Sequence, residues 1–199
     1  MTVETMPASP AARATQELED SAALDPLVDA LRTAAEAVLP GGRLLQEMRG
    51  RSLGHALHPI MTDLPIGVWV SATVLDLTGA RKHADAARRL VGAGVLLVVP
   101  TALTGMADWS GLKDQKSSRL GAVHATLNGV AGSLYATSWF LRRKGRTGLG
   151  VLTALAGGGV LAASGYLGGH LTLARQEPGH SGASEVSEPG GAASPGQES

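Results

Sequence analysis

The 199-residue sequence contains no cysteine. That excludes disulfides, Cys-ligated zinc and any iron–sulfur cluster with thiolate ligands, so a metal would have to take His, carboxylate or carbonyl donors. Net charge is missing too: 17 Lys and Arg balance 17 Asp and Glu, which leaves no bulk field to attract nucleic acid, and none is expected as a partner. The opening residues, MTVETMPASPAARATQELED, have neither a basic start nor an apolar run. A cleaved secretory signal is therefore not expected, and the first apolar span is expected to target the chain. No Gly-rich loop follows a strand, no two histidines share a helix at metalloprotease spacing, and no Ser stands in a nucleophile elbow. Phosphate catalysis and hydrolysis gain no support, and no catalytic residue is assigned.

What is present is apolar length. A mean hydropathy of +0.09 averages two polar ends with a middle of Ala, Val, Leu and Gly. Apolar stretches run over 60–80, 90–107, 120–141 and 149–174, each near the roughly 20 residues that about 30 Å of hydrocarbon requires. A soluble bundle would put a charged face on each helix, yet VGAGVLLVVPTALTGMA (91–107) has no charge at all. The expected fold is an all-α, integral membrane, antiparallel four-helix bundle over residues 24–175. Its location would be the cytoplasmic membrane, with the lipid bilayer as its first partner. Residues 1–20 and 176–199 lack the apolar content to offset ordering and are expected to be disordered. Asp25 as N-cap and Pro26 open a short amphipathic helix over 26–39 with Leu27, Leu31, Ala35 and Val38 on one side. Its mixed charges, Asp29, Arg32 and Glu36, leave open whether it lies on the membrane or packs on the bundle.

Small residues four apart, Ala125 and Gly129, Ala154 and Gly158, Gly165 and Gly169, predict close helix contacts. Pro100 removes one backbone bond from the second span, with Thr101 and Thr104 placed to resatisfy carbonyls. Basic loops 81–89 and 142–146 share one side and are expected to be cytoplasmic, although eight Lys and Arg there against seven opposite make a small bias. Anionic head groups are their simplest partners. Asp76 lies thirteen residues after Asp63, about 20 Å along a helix, and is expected to pair with Arg81, Arg88 or Arg89 at that basic end.

Antiparallel threading gathers His55, His58, Asp63, Asp108, Trp109, His124 and His170 on the other membrane face, four of the six histidines among them. His83 and His180 fall elsewhere and read as solvated. At about 100° per residue, His124, Asn128 and Tyr135 share a stripe, as do His170, Tyr166, Ala163 and Gly159. Ionisable groups in a span are costly and point to a site. The cofactor-binding candidates are His58, His124 and His170, for haem b or another redox group. A transition-metal alternative adds Asp63 and Asp108 to those three. The competing reading makes the histidines water-satisfied interfacial residues, with Asp63 a helix cap before Leu64 and Pro65.

The segment GHALHPIMTDLPIGVWVSATVLDLTG (54–79), with its HPxxxDxPIG core, ADWSGL (107–112), GAVHATLN (121–128) and GYLGGHL (165–171) together resemble a bacterial family of four-span membrane proteins whose function is unknown. The resemblance covers about 24–175. It implies that His58, Pro59, Asp63, Pro65, Asp108, Trp109, His124 and His170 are the family's recurrent positions. The family's domain occurs alone or ahead of a Rieske-type iron–sulfur domain, which implies a role near electron transfer; with no cysteine here, any iron–sulfur partner would be a separate chain. The leading expectation is a redox-associated membrane module. Its rivals are a non-catalytic scaffold or anchor for a partner protein and, last, a small-solute or proton transporter working through Asp63 and the histidines.

Overall fold

The computed structural model describes residues 9–174, and among these the ordered elements are helical throughout. In chain order they are α1 (Pro10–Asp20), α2 (Asp25–Val38), α3 (Gly42–Met48), α4 (His58–Gly79), α5 (Ala84–Trp109), α6 (Gln115–Arg143) and α7 (Thr147–Gly169), the last followed by a π-turn at His170–Ala174. Local chemistry sets the boundaries. Ser9 accepts from the Ala12 N–H ahead of Pro10, a cap and first-turn proline pair that starts α1. Asp114 accepts from Ser117 N–H at 2.9 Å and starts α6, and Gly145 at φ 73° ends it in a conformation that favours glycine. Asp25 lies inside α2 rather than capping it; Leu24 precedes the helix without a side-chain cap.

Helix α4 packs on α5, α5 on α6 and α6 on α7, while α4 and α6 meet across the centre through large side chains such as Trp69 and Tyr135. Three helices, α4, α5 and α7 with its extension to Thr172, are long and apolar enough to cross a membrane. Helix α6 has the length, 29 residues, but His124, Asn128, Tyr135 and its hydroxyls make it less apolar than the others. The expectation of an all-α membrane protein holds. Disorder over residues 1–20 does not hold for 10–20, which form α1 because polar contacts to α6 and His170 substitute for apolar burial. Residues 1–8 and the tail expected over 176–199 lie outside the described residues.

Proline inside α4 is accommodated by α5. Pro65 has no N–H to give Met61 O, and Thr101 Oγ1 reaches that carbonyl at 3.0 Å while also lying 2.8 Å from Leu97 O in its own helix. The expected small-residue contacts are largely displaced. Ala125, Gly129 and Gly165 are exposed, whereas Ala154 is buried and Gly158 meets the Tyr135 hydroxyl; side chains also rest closely on Gly92, Gly94, Gly105, Gly121, Gly150, Gly157 and Gly168.

Burial repeats along the chain. The buried residues of α4 are Pro65, Trp69, Ala72 and Asp76, and α6 buries Ala131, Tyr135, Ser138 and Arg142, each 66 positions later (65 to 131, 69 to 135, 72 to 138, 76 to 142). Ala87, Val91, Gly94, Thr101 and Thr104 of α5 are matched 63 positions later by Gly150, Ala154, Gly157, Ser164 and Leu167 of α7 (87 to 150, 104 to 167). The two hairpins, α4–α5 and α6–α7, therefore turn equivalent positions inward.

Candidate functional site

His58 on α4 and His124 on α6 face each other with ring centroids 6.3 Å apart and planes at 84°. Each imidazole is oriented by the partner helix of its own hairpin. His58 Nδ1 lies 3.0 Å from Thr101 O; His124 Nδ1 lies 2.8 Å from Ser164 O and 3.0 Å from Ser164 Oγ. A carbonyl only accepts, so both Nδ1 atoms carry the hydrogen and both ring lone pairs reside on Nε2. The Ser164 hydroxyl closes the second arrangement by donating to His124 O at 3.1 Å. Glycine makes room for each ring: a Cβ at Gly105 would stand 2.7 Å from His58 Cε1, and one at Gly168 would stand 2.8 Å from His124 Cε1. On the stripe expected for α6, the Asn128 amide donates to His124 Nε2 at 2.9 Å.

The other candidates stand apart from this pair. His170 is 3.3 Å from Glu19 of α1. Asp63 is on the second turn of α4, exposed, and caps nothing because the helix begins at His58. Asp108 closes α5 beside Trp109, whose indole packs with Val28 and Ala122 and donates to Ser118 O at 3.0 Å. His55 is exposed in the turn before α4. Gly159, Ala163 and Tyr166, expected to line an inward stripe with His170, are exposed; the inward face of α7 is Gly157, Ser164 and Gly168. Among the described residues no group of three or more His, Asp or Glu side chains could hold a metal ion together. Ser164, Gly105 and Gly168 were absent from the sequence reading, and Thr101 entered it only as a residue placed to resatisfy carbonyls beside Pro100. A backbone carbonyl leaves no signature in sequence, and only the recurrence of hydroxyl and glycine four residues apart could have marked them.

Toward the other end, Trp69 and Tyr135 stack at 3.8 Å and 6°. Below them Arg142 grips Asp76 in two bonds of 2.8 and 2.6 Å, with side chains 1 % and 3 % exposed. The partner expected for Asp76 was Arg81, Arg88 or Arg89. Helix length places a residue at a depth but not around the axis, and Asp76 turns inward, away from the connector.

The N-terminal helices are tied on by charge. Arg119 donates to both Asp25 oxygens at 2.7 and 2.9 Å and to Glu19 O at 3.0 Å, Gln115 adds 2.8 Å to Asp25, and Lys116 meets Asp20 at 2.5 Å. Arg32 donates to Ser118 Oγ at 2.9 Å and stands over Trp109. α2 thus packs on the bundle end. Hydrogen bonds from Arg119 and then Gln115 hold the Asp25 carboxyl below its ordinary 3.8. A depressed carboxyl stabilises the docked form above its unfolded pKa, and that contribution is lost as pH falls through the lower folded value. Relative to its intrinsic rate, amide exchange over α1 and α2 should therefore quicken as pH drops below 3.8. It should quicken further near 1 M salt, where screening shortens to about 3 Å. Asp25→Asn should remove the part of the pH response due to Asp25, and an unchanged response would refute it.

Helices of this length and apolarity, packed around buried polar side chains, define an all-helical membrane protein. The chain belongs to the family described as "Predicted membrane protein (DUF2231)", whose profile matches residues 54–176 and so takes in α4 to α7. No curated protein and no solved structure matches it.

Proposed function

We propose that α4 to α7 form a four-crossing module that holds a redox centre between His58 and His124 and exchanges electrons with a separate protein, an iron–sulfur chain being the first candidate. Four crossings are supported by α6, which is joined to α5 and α7 by short turns and packs on both along its length. Its polar groups, His124, Asn128, Ser138 and Arg142, bond to α4, α6 or α7 instead of facing lipid. We place basic loops 81–89 and 142–146 on the cytoplasmic side, with Arg142 withdrawn into the bundle.

The observation that carries the redox reading is the anchoring of both Nδ1 atoms. Metal-ligating histidines characteristically donate the other ring N–H to a carbonyl or carboxylate, and here both do so to carbonyls. The ring centroids stand 6.3 Å apart, so one group held through both Nε2 atoms would sit between His58 and His124. Only two imidazoles meet there, so the group that fits brings its remaining donors itself, as haem b does; a bare transition-metal ion would need ligands that Asp63, Asp108 and His170 do not supply from their positions. Bound, such a group supplies one-electron chemistry. The chain's part is to orient both rings, exclude lipid and water, and release the Asn128 amide from His124 Nε2.

That amide favours a second reading, a non-catalytic scaffold in which the histidines only clamp their hairpins. A proton relay for transport would need Asp63 to face the histidines, and it faces outward. Oxidised and dithionite-reduced spectra, with metal analysis, of protein expressed with haem and metals supplied decide between them. The redox reading expects a Soret band or stoichiometric metal that His124→Ala shifts and weakens. Folded, colourless, metal-free protein would leave the scaffold.

A further inference from the structure

The two hairpins do more than resemble each other. Residues at equivalent positions touch one another: His58 faces His124, Trp69 stacks on Tyr135 and Asp76 binds Arg142, each pair 66 positions apart (58 to 124, 69 to 135, 76 to 142). Two copies of a unit bring the same position into contact with itself only along a twofold axis. That axis runs between α4 and α6 and passes between the two imidazoles. Around each ring the same parts recur: an imidazole on the first helix, the carbonyl of a hydroxyl residue on the second (Thr101, Ser164), and a glycine four residues further on (Gly105, Gly168).

From this we infer that the histidine site is a single bilateral site, built by two copies of one hairpin, and that it takes one metal centre held in equal shares by His58 and His124. The inference deepens the redox reading and rests on it. A ligand on the axis meets the same donors from both sides, so the chemistry recognised is a metal with two opposed open positions, as in a metal–tetrapyrrole. The axis is approximate, since α5 packs on α6 more closely than α7 packs on α4, and two local departures from symmetry are informative. Where His124 has Asn128 one turn on, His58 has Thr62, whose hydroxyl bonds back to His58 O at 2.8 Å and leaves the imidazole Nε2 alone. Asp76 and Arg142 carry opposite charges, because identical charged residues on the axis would repel.

The test is titration of the full chain, purified in detergent, with haemin, read by absorbance. His58→Asn and His124→Asn are the variants, since an Asn amide can still donate to the carbonyl while offering no Nε2. Expected are one haemin per chain with a six-coordinate spectrum, and conversion to a five-coordinate spectrum in either variant. The two variants should lose affinity alike, by at least about tenfold. Added imidazole should restore six-coordination in both, and circular dichroism reports that each is folded. His83→Ala should bind as the parent does, and Asn128→Thr should bind more tightly. Binding that one histidine variant abolishes and the other leaves intact would overturn equal sharing while leaving the redox reading in place. No haemin uptake by folded parent protein would overturn both.

Discussion

Arg142→Ala should destabilise the protein by about 3–5 kcal/mol, the usual result of leaving one member of a buried ion pair without the other. The Asp76 and Arg142 side chains are 3 % and 1 % exposed and joined through two bonds, so water cannot take over the carboxylate when the guanidinium is removed. The surroundings are fitted to arginine at position 142 specifically. Its Nε donates to Ser138 Oγ at 3.1 Å, and that hydroxyl donates to Gly150 O at 2.6 Å. A Cβ at Gly150 would stand 2.6 Å from Arg142 Cγ. The equivalent neighbours of Asp76 are Ala72 and Ala87, which supply neither hydroxyl nor space. Asp76→Ala/Arg142→Ala should therefore cost less than Arg142→Ala alone, because no charge is left buried. The exchange Asp76→Arg/Arg142→Asp should recover only part of the loss. Unfolding in mixed micelles followed by circular dichroism reads all of these. A single variant within about 1 kcal/mol of the parent would mean that the pair is solvated, as surface pairs are.

The apolar runs made α4, α5 and α7 legible in sequence, because a bilayer forces length and composition together. Threading them antiparallel was enough to set His58 and His124 at one level. Level is not direction, however. Asp63 and His170 were expected beside the pair, yet Asp63 turns outward and His170 turns to Glu19. Asp76 turns inward to an arginine assigned beforehand to a loop. The groups that orient the rings are carbonyls of Thr101 and Ser164, which any residue could provide. The duplication escaped notice because little identity survives; the identities that mark the site and the close approaches are His58 and His124, Gly94 and Gly157, and Gly105 and Gly168. Elsewhere residues have diverged freely, even from charged to apolar, as Val151 and Leu152 stand at the positions of Arg88 and Arg89. α1 was missed for a related reason: Ser9 and Pro10 signal a helix start, but the contacts that hold it, from Glu19 and Asp20, are charged.

Trp69→Ala is the core substitution with the largest expected cost. Trp69 is 2 % exposed, stacked on Tyr135 at 3.8 Å, and its indole N–H donates to Val91 O at 3.2 Å. In lipid there is little hydrophobic transfer to lose, so the cost comes from packing. Truncation removes ~140 Å³, and at ~24 cal/mol per Å³ of unrelaxed cavity that is about 3 kcal/mol. The lost stack adds roughly 0.5–1.5 kcal/mol. The glycine opposite is coupled to the indole, since a Cβ at Gly94 would overlap its Nε1, Cδ1 and Cε2 atoms. Gly94→Ala alone should thus destabilise by about 1–3 kcal/mol through overpacking. Trp69→Phe vacates the pyrrole side of the ring while keeping an aromatic face for Tyr135, so Gly94→Ala/Trp69→Phe should be milder than the two single changes added. A coupling of at least about 0.5 kcal/mol in that cycle is expected for residues in contact. Strict additivity would mean that the indole does not rest on Gly94, and would remove one of the contacts by which the first hairpin holds its half of the axis.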